Sequence, residues 1–198
     1  MAQTLTPAAS PHPKLESVSE QGASGQAGAA DREARASIER ALADAVERLS
    51  GADAATEALA RFEPPRRRAL LFTREAQMVP LGRVWRLGVF LLGADGALYA
   101  TGHTTRAVDP RHPGYQSVSA EERRGFRAAA FRGPFERGET VNFDVEEIEL
   151  TPGALRTATG PLVLRGASAL VRWRAGAGED GLVPLESYLA ERVGLLGL

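Results

Sequence analysis

The sequence predicts an α+β fold: an antiparallel sheet of four to five strands with helices on one face, preceded by a helical hairpin and a disordered N-terminal tail. Three observations carry that expectation. Segments of helical periodicity stand near both ends and in the middle, separated by segments of alternating or short continuous apolar character. Asp95-Gly96 lies between two strand-like segments and is the strongest hairpin signal in the chain. The chain has 198 residues, 43% of them apolar and 25% charged, which is the usage of a globular protein with one principal core.

Residues 1–30 hold Ala, Gly, Ser, Gln and Pro, with Leu5, Leu15 and Val18 as the only larger aliphatics. Such a segment buries too little apolar surface to offset its ordering entropy, so a disordered tail is expected. From Asp31 a helix is expected, because Ile38, Leu42, Val46 and Leu49 fall on one stripe; Ser50-Gly51 stops it. Asp53 is placed to cap a second short helix carrying Leu59 and Phe62, which must end before Pro64-Pro65. The organisation is therefore a tail over 1–30, a helical hairpin over 31–63 and an α+β domain over 64–198.

Val84 to Leu92 reads as a strand with Trp85, Leu87, Val89 and Leu91 on one side. A two-residue turn at Asp95-Gly96 then returns a strand from Ala97 to Val108. Ser119-Ala120-Glu121-Glu122 fits a capping box, opening a helix through Phe126 and Ala130 that Gly133-Pro134 ends. Thr140 to Leu150 alternates as a strand and changes phase, which a bulge near Glu146-Glu147 explains. Leu162–Leu164 and Ala169–Trp173 form a second hairpin around Gly166. Pro184 opens a C-terminal amphipathic helix with Leu185, Tyr188, Leu189, Val193 and Leu196.

Composition removes several kinds of chemistry. There is no cysteine, so disulfides, thiolate catalysis and cysteine metal sites are excluded. Lys14 is the only lysine, so phosphate-loop and Ser-x-x-Lys chemistry lack their cation. His103 and His112 alone make at most half a zinc site, and no metal or cofactor is expected. Gly176 to Gly181 matches a dinucleotide fingerprint in spacing, but Glu179 and Asp180 would repel a pyrophosphate there. No apolar run approaches the roughly 18 residues of a membrane span. The first ten residues do not read as a secretory signal, so a cytoplasmic location is the expectation.

Charge is segregated along the chain. Residues 1–63 and 135–198 each carry a net -4, whereas residues 64–134 carry +7. The basic segment includes Arg66-Arg67-Arg68 and a helical cluster of Arg123, Arg124 and Arg127, a candidate patch for an anion. With a two-residue turn at Asp95-Gly96, Arg86 opposes Thr105, Gly88 opposes His103 and Phe90 opposes Thr101. Arg86, Thr101, His103 and Thr105 then share one face, with Gly88 leaving space opposite the imidazole and Trp85 beside Arg106. Arg86, Thr101, His103, Thr105 and Arg106 are the candidate ligand-binding residues.

Three stretches carry a resemblance. Pro80-Leu81-Gly82-Arg83-Val84-Trp85-Arg86-Leu87-Gly88, Tyr99-Ala100-Thr101-Gly102 and Val183-Pro184-Leu185-Glu186-Ser187-Tyr188-Leu189 are similar to short bacterial proteins labelled glutaminase. The resemblance covers roughly residues 60–198 and implies an amide hydrolase. It supplies no catalytic residue, because the serine-type enzymes use Ser-x-x-Lys and the amidotransferase type uses cysteine. The residues themselves point to a non-enzymatic module that binds a protein partner or a small anionic ligand. Weak nucleic-acid binding through segment 64–134 is the other alternative; its few aromatics and the flanking acidic segments argue against it.

Overall fold

The computed structural model describes residues 17–68, 72–110, 118–174, 176 and 178–196. Helix α1 runs from Ser17 to Gly51, with Ala34, Ile38, Leu42, Ala45 and Leu49 as its buried stripe. Of the tail expected over residues 1–30, residues 1–16 lie outside the described residues and 17–30 are the opening turns of α1. An anchored helix extends cheaply, since each added residue gains one hydrogen bond once the nucleus exists.

The expected second helix is a strand instead, β1 (Glu57–Glu63). Its Ala- and Leu-rich sequence favours a helix locally, but Ala58, Leu59 and Ala60 are buried consecutively, as a central strand covered on both faces requires. The boundary expected after residue 63 therefore falls inside a hairpin, and no helical hairpin stands apart from the sheet. A short arm, β2 (Arg66–Arg68) and β3 (Phe72–Arg74), leads from β1 to its partner β4 (Gln77–Leu87).

The strand expected over Val84–Leu92 is broken at Gly88-Val89, a two-residue turn into β5 (Phe90–Gly93), with Leu87 opposite Phe90. Gly88 has φ +65, where a side chain is disfavoured. The space expected beside it is filled by the Tyr188 hydroxyl, which accepts from Val89 N at 3.0 Å and donates to the Leu87 carbonyl at 3.3 Å. The Asp95-Gly96 hairpin forms, but its loop is three residues: Gly93 N bonds to Ala97 O at 2.9 Å, and Leu92 pairs with Leu98. The strand expected over 97–108 is likewise two pieces, β6 (Leu98–Ala100) and β7 (His103–Arg106).

After α2 (Val118–Arg132) come β8 (Thr140–Phe143) and β9 (Glu146–Glu147), interrupted at Asp144, whose φ is +51, rather than by a bulge at Glu146-Glu147. The strand order is β7-β8-β1-β4-β5-β6-β9. Only Thr101-Gly102 separates β6 from β7, and only Asp144-Val145 separates β8 from β9, yet each pair sits toward opposite ends of that order. Tyr99 opposes Glu147 and His103 opposes Phe143, one unbroken antiparallel register. The sheet thus closes on itself as a barrel of five strand runs, with β1 and β8 as its one parallel pair.

One side chain from each run fills the interior: Leu59, Val84, Leu91, Tyr99 and Val145. Burial, then the charges of Glu147 and Asp95, push the Tyr99 phenol above its ordinary pKa. Helices cover two flanks of the barrel, not one face. Ala129, Ala130 and Phe126 of α2 pack on Ala58, Ala60, Val141 and Phe143. Against the other flank, Trp85, Leu87, Phe90 and Leu92 meet α1 and the C-terminal elements in a single core. Those elements are α3 (Pro152–Thr157), β10 (Leu162–Arg165), β11 (Ser168–Val171), a 3-10 turn at Glu179–Gly181, β12 (Val183–Pro184) and α4 (Leu185–Gly194). The expected Gly166 hairpin and C-terminal helix are present; the helix starts at Leu185, with Pro184 as its cap.

Candidate functional site

Side chains alternate across a strand, so the partners of the barrel layer are fixed by counting in twos. Glu57 shares a face with Leu59, Arg86 with Val84, and Asn142 stands opposite both Leu59 of β1 and Thr104 of β7. Glu57, Arg86, Thr104 and Asn142 consequently point into one mouth of the barrel, above the apolar layer.

There they form a closed network. Arg86 Nε donates to Glu57 Oε2 at 3.0 Å, and Arg86 Nη2 donates to Thr104 Oγ1 at 2.7 Å and to the Asn142 side-chain oxygen. Asn142 Nδ2 donates to Glu57 Oε2 at 2.8 Å and to the Ala58 carbonyl at 3.2 Å. Asn142 is 1% exposed, so its amide must be satisfied inside the protein, and this network does so. The Arg86 and Glu57 side chains keep 33% and 26% of their surface, which leaves both in contact with solvent at the mouth.

Above this floor lies a cavity of about 550 Å³ between β7, β8 and α2. Its lining includes Glu57, Arg86, Thr104, Thr105, Arg106, Val108, Arg123, Phe126, Arg127 and Thr140. Arg123, Phe126 and Arg127 lie at i, i+3 and i+4 and share a helix stripe. Phe126 is fixed by edge-to-face packing on Phe62 at 5.1 Å and by Phe143 at 4.8 Å, which holds both arginines over the mouth. Among the described residues, four guanidinium groups and one carboxylate give the lining a net +3. No ion pair engages Arg106, Arg123 or Arg127 among the described residues, whereas ten other arginines are salt-bridged.

Of the residues expected from sequence, Arg86, Thr105, Arg106, Arg123 and Arg127 come together here. Three do not. His103 is on the outer face of β7, its ring 6.2 Å from that of Phe126 and 5.6 Å from that of Phe143. Thr101 sits in the break between β6 and β7, its N–H bonded to the Val89 carbonyl at 3.2 Å. Arg124 turns away from the cavity to Glu121 at 2.5 Å. Nor does Trp85 stand over Arg106: it faces α1, and its indole N–H donates to the Ala54 carbonyl at 3.0 Å. Of the Gly176–Gly181 fingerprint, Glu179–Gly181 form the 3-10 turn before β12, and Glu179 binds Arg165 at 2.8 Å, which lowers the Glu179 pKa.

Sequence reading missed Glu57, Thr104, Phe126, Thr140 and Asn142. For Phe126 a signal existed, its position between two arginines on one helix face. Glu57 and Asn142 meet only because β1 and β8 pair in parallel, 85 residues apart in sequence. No protein-family model matches the chain, and no curated protein or solved structure matches it.

Proposed function

We propose that this protein binds a small anionic ligand in the mouth of the barrel. The observation that carries this reading is the convergence of Arg106, Arg123 and Arg127 on one cavity with no acidic partner among the described residues. Like charges at i, i+4 destabilise a helix by a few tenths of a kcal/mol, and an anion between them reverses the sign of that interaction. A volume of about 550 Å³ falls in the range of roughly 300–1,000 Å³ typical of small-molecule pockets.

A compact ligand is favoured over a nucleic acid because other arginines of the basic segment are paired with carboxylates. Arg74, Arg124 and Arg132 pair with Glu63, Glu121 and Glu75. Arg106, Arg123 and Arg127 are gathered in a recess instead of being spread along a surface that a polymer backbone could follow.

Calorimetric titration with inorganic pyrophosphate tests the proposal. A hydrogen bond to a charged group is worth about 1.5–3 kcal/mol, so Arg123→Glu with Arg127→Glu should weaken binding by about a hundredfold or more. Arg32→Glu with Arg40→Glu, on α1, should leave it unchanged. Binding that survives the α2 pair refutes the assignment.

A further inference from the structure

Resting on that reading, the division of charge within the cavity specifies the ligand further. Among the described residues, the charged groups of the outer part are Arg106, Arg123 and Arg127, all cationic. The floor is neutral overall, because Arg86 is bonded to Glu57 at 3.0 Å. A second anionic group reaching the floor would meet the Glu57 carboxylate. Both protein bonds to Glu57 arrive at Oε2, and Oε1 receives none among the described residues. The available carboxylate oxygen, together with the Thr105 and Thr140 hydroxyls, suits a body that donates and accepts hydrogen bonds without charge.

The same geometry selects against a nucleobase. Phe126 is the one aromatic side chain lining the cavity among the described residues, and its ring is already engaged by Phe62, Phe143 and His103. A stacked base would have to compete with those three rings for it.

We propose that the ligand is a phosphate monoester of a polyhydroxylated small molecule, a sugar phosphate in kind. Its phosphoryl group lies among Arg106, Arg123 and Arg127, and its hydroxyls reach Glu57 on the floor. Arginine forks match a phosphoryl group bidentately, and a hydroxyl donating to a carboxylate is a charge-assisted bond.

The test is calorimetry on the full chain with glucose 6-phosphate, inorganic phosphate, fructose 1,6-bisphosphate and adenosine monophosphate. Glucose 6-phosphate should bind about tenfold tighter than inorganic phosphate, the equivalent of one bond to a charged group. It should also exceed the bisphosphate and the nucleotide. Glu57→Gln should shrink the ratio of sugar ester to inorganic phosphate by about the same factor. Equal affinities for the ester and inorganic phosphate, tighter binding of the nucleotide or bisphosphate, or an unchanged ratio in Glu57→Gln overturns this inference. If any of these occurs while Arg123→Glu with Arg127→Glu still abolishes phosphate binding, the anion site stands and only the sugar ester falls. Phosphate binding that survives the α2 pair removes both. The comparison of ligands on the unaltered chain decides the matter even if Glu57→Gln does not fold.

Discussion

Replacing Gly88 by alanine puts a methyl group where the Tyr188 hydroxyl now sits, in backbone with φ +65. Holding a non-glycine residue in left-handed backbone costs roughly 1–2 kcal/mol. Displacing the hydroxyl also forfeits its bonds to Val89 N and the Leu87 carbonyl, at about 1 kcal/mol each. Gly88→Ala should therefore cost about 3–4 kcal/mol, a large share of the roughly 5–15 kcal/mol that stabilises a domain. Tyr188→Phe loses the two bonds alone, about 2 kcal/mol. If the effects were independent, the double variant would lose about 5–6 kcal/mol. Because both changes break the same bonds, it should lose only about 3–4, a coupling of about 2 kcal/mol. Gly96→Ala is the control: its φ is +83 and its side chain would meet open space, so only the backbone cost of roughly 1–2 kcal/mol applies. Urea unfolding of the five proteins measures the cycle. Additivity within about 0.5 kcal/mol would show that the hydroxyl does not hold the turn.

Asn142→Ala removes two hydrogen bonds to charged groups from the barrel mouth and should destabilise by about 3–5 kcal/mol; a loss below about 1 kcal/mol in denaturant midpoints would mean water replaces them. The raised pKa of Tyr99 means that the unfolded phenol ionises first. Its contribution is therefore complete below the ordinary value of 10.0 and is lost as pH rises through the higher folded value. Tyr99→Phe should remove that alkaline dependence from unfolding curves, and an unchanged profile would contradict the burial of this phenol. With glutamine as substrate the purified chain should release no ammonia above a buffer blank; release that His103→Ala abolishes would establish the amide-hydrolase alternative.

Local chemistry was readable wherever it was decided locally. Gly166 and Pro184 marked the second hairpin and the start of α4, since caps and turns depend on neighbours in sequence, whereas the cap expected at Ser119 falls inside α2, which begins at Val118. The region Asp53–Phe62 was misread because Ala, Glu and Leu favour a helix until two neighbouring strands cover both faces of Ala58-Leu59-Ala60. One extra residue in the Asp95-Gly96 loop moved the register between β5 and β6, and Gly88-Val89 inserted a turn that alternation did not reveal. A one-residue slip exchanges the faces of a strand. Tyr99 nonetheless keeps the interior face with Val84 and Arg86, so the break at Thr101-Gly102 is what exchanges the faces and puts Thr104 beside Arg86 where His103 and Thr105 were expected. Closure of the barrel was not legible, because it depends on pairing β7 with β8 and β8 with β1 across the intervening helix. Arg86, Arg106, Arg123 and Arg127 were found as charges; only closure gathers them around one cavity.

The most direct test of an anion site at the barrel mouth is a crystal of the full chain soaked in selenate, with the selenium located by its anomalous scattering. The structure predicts a peak bounded by Arg106, Arg123 and Arg127, lost when Arg123 and Arg127 are changed to glutamate. A cavity without a peak, with selenate bound only at other arginines such as those of Arg66–Arg68, would contradict it.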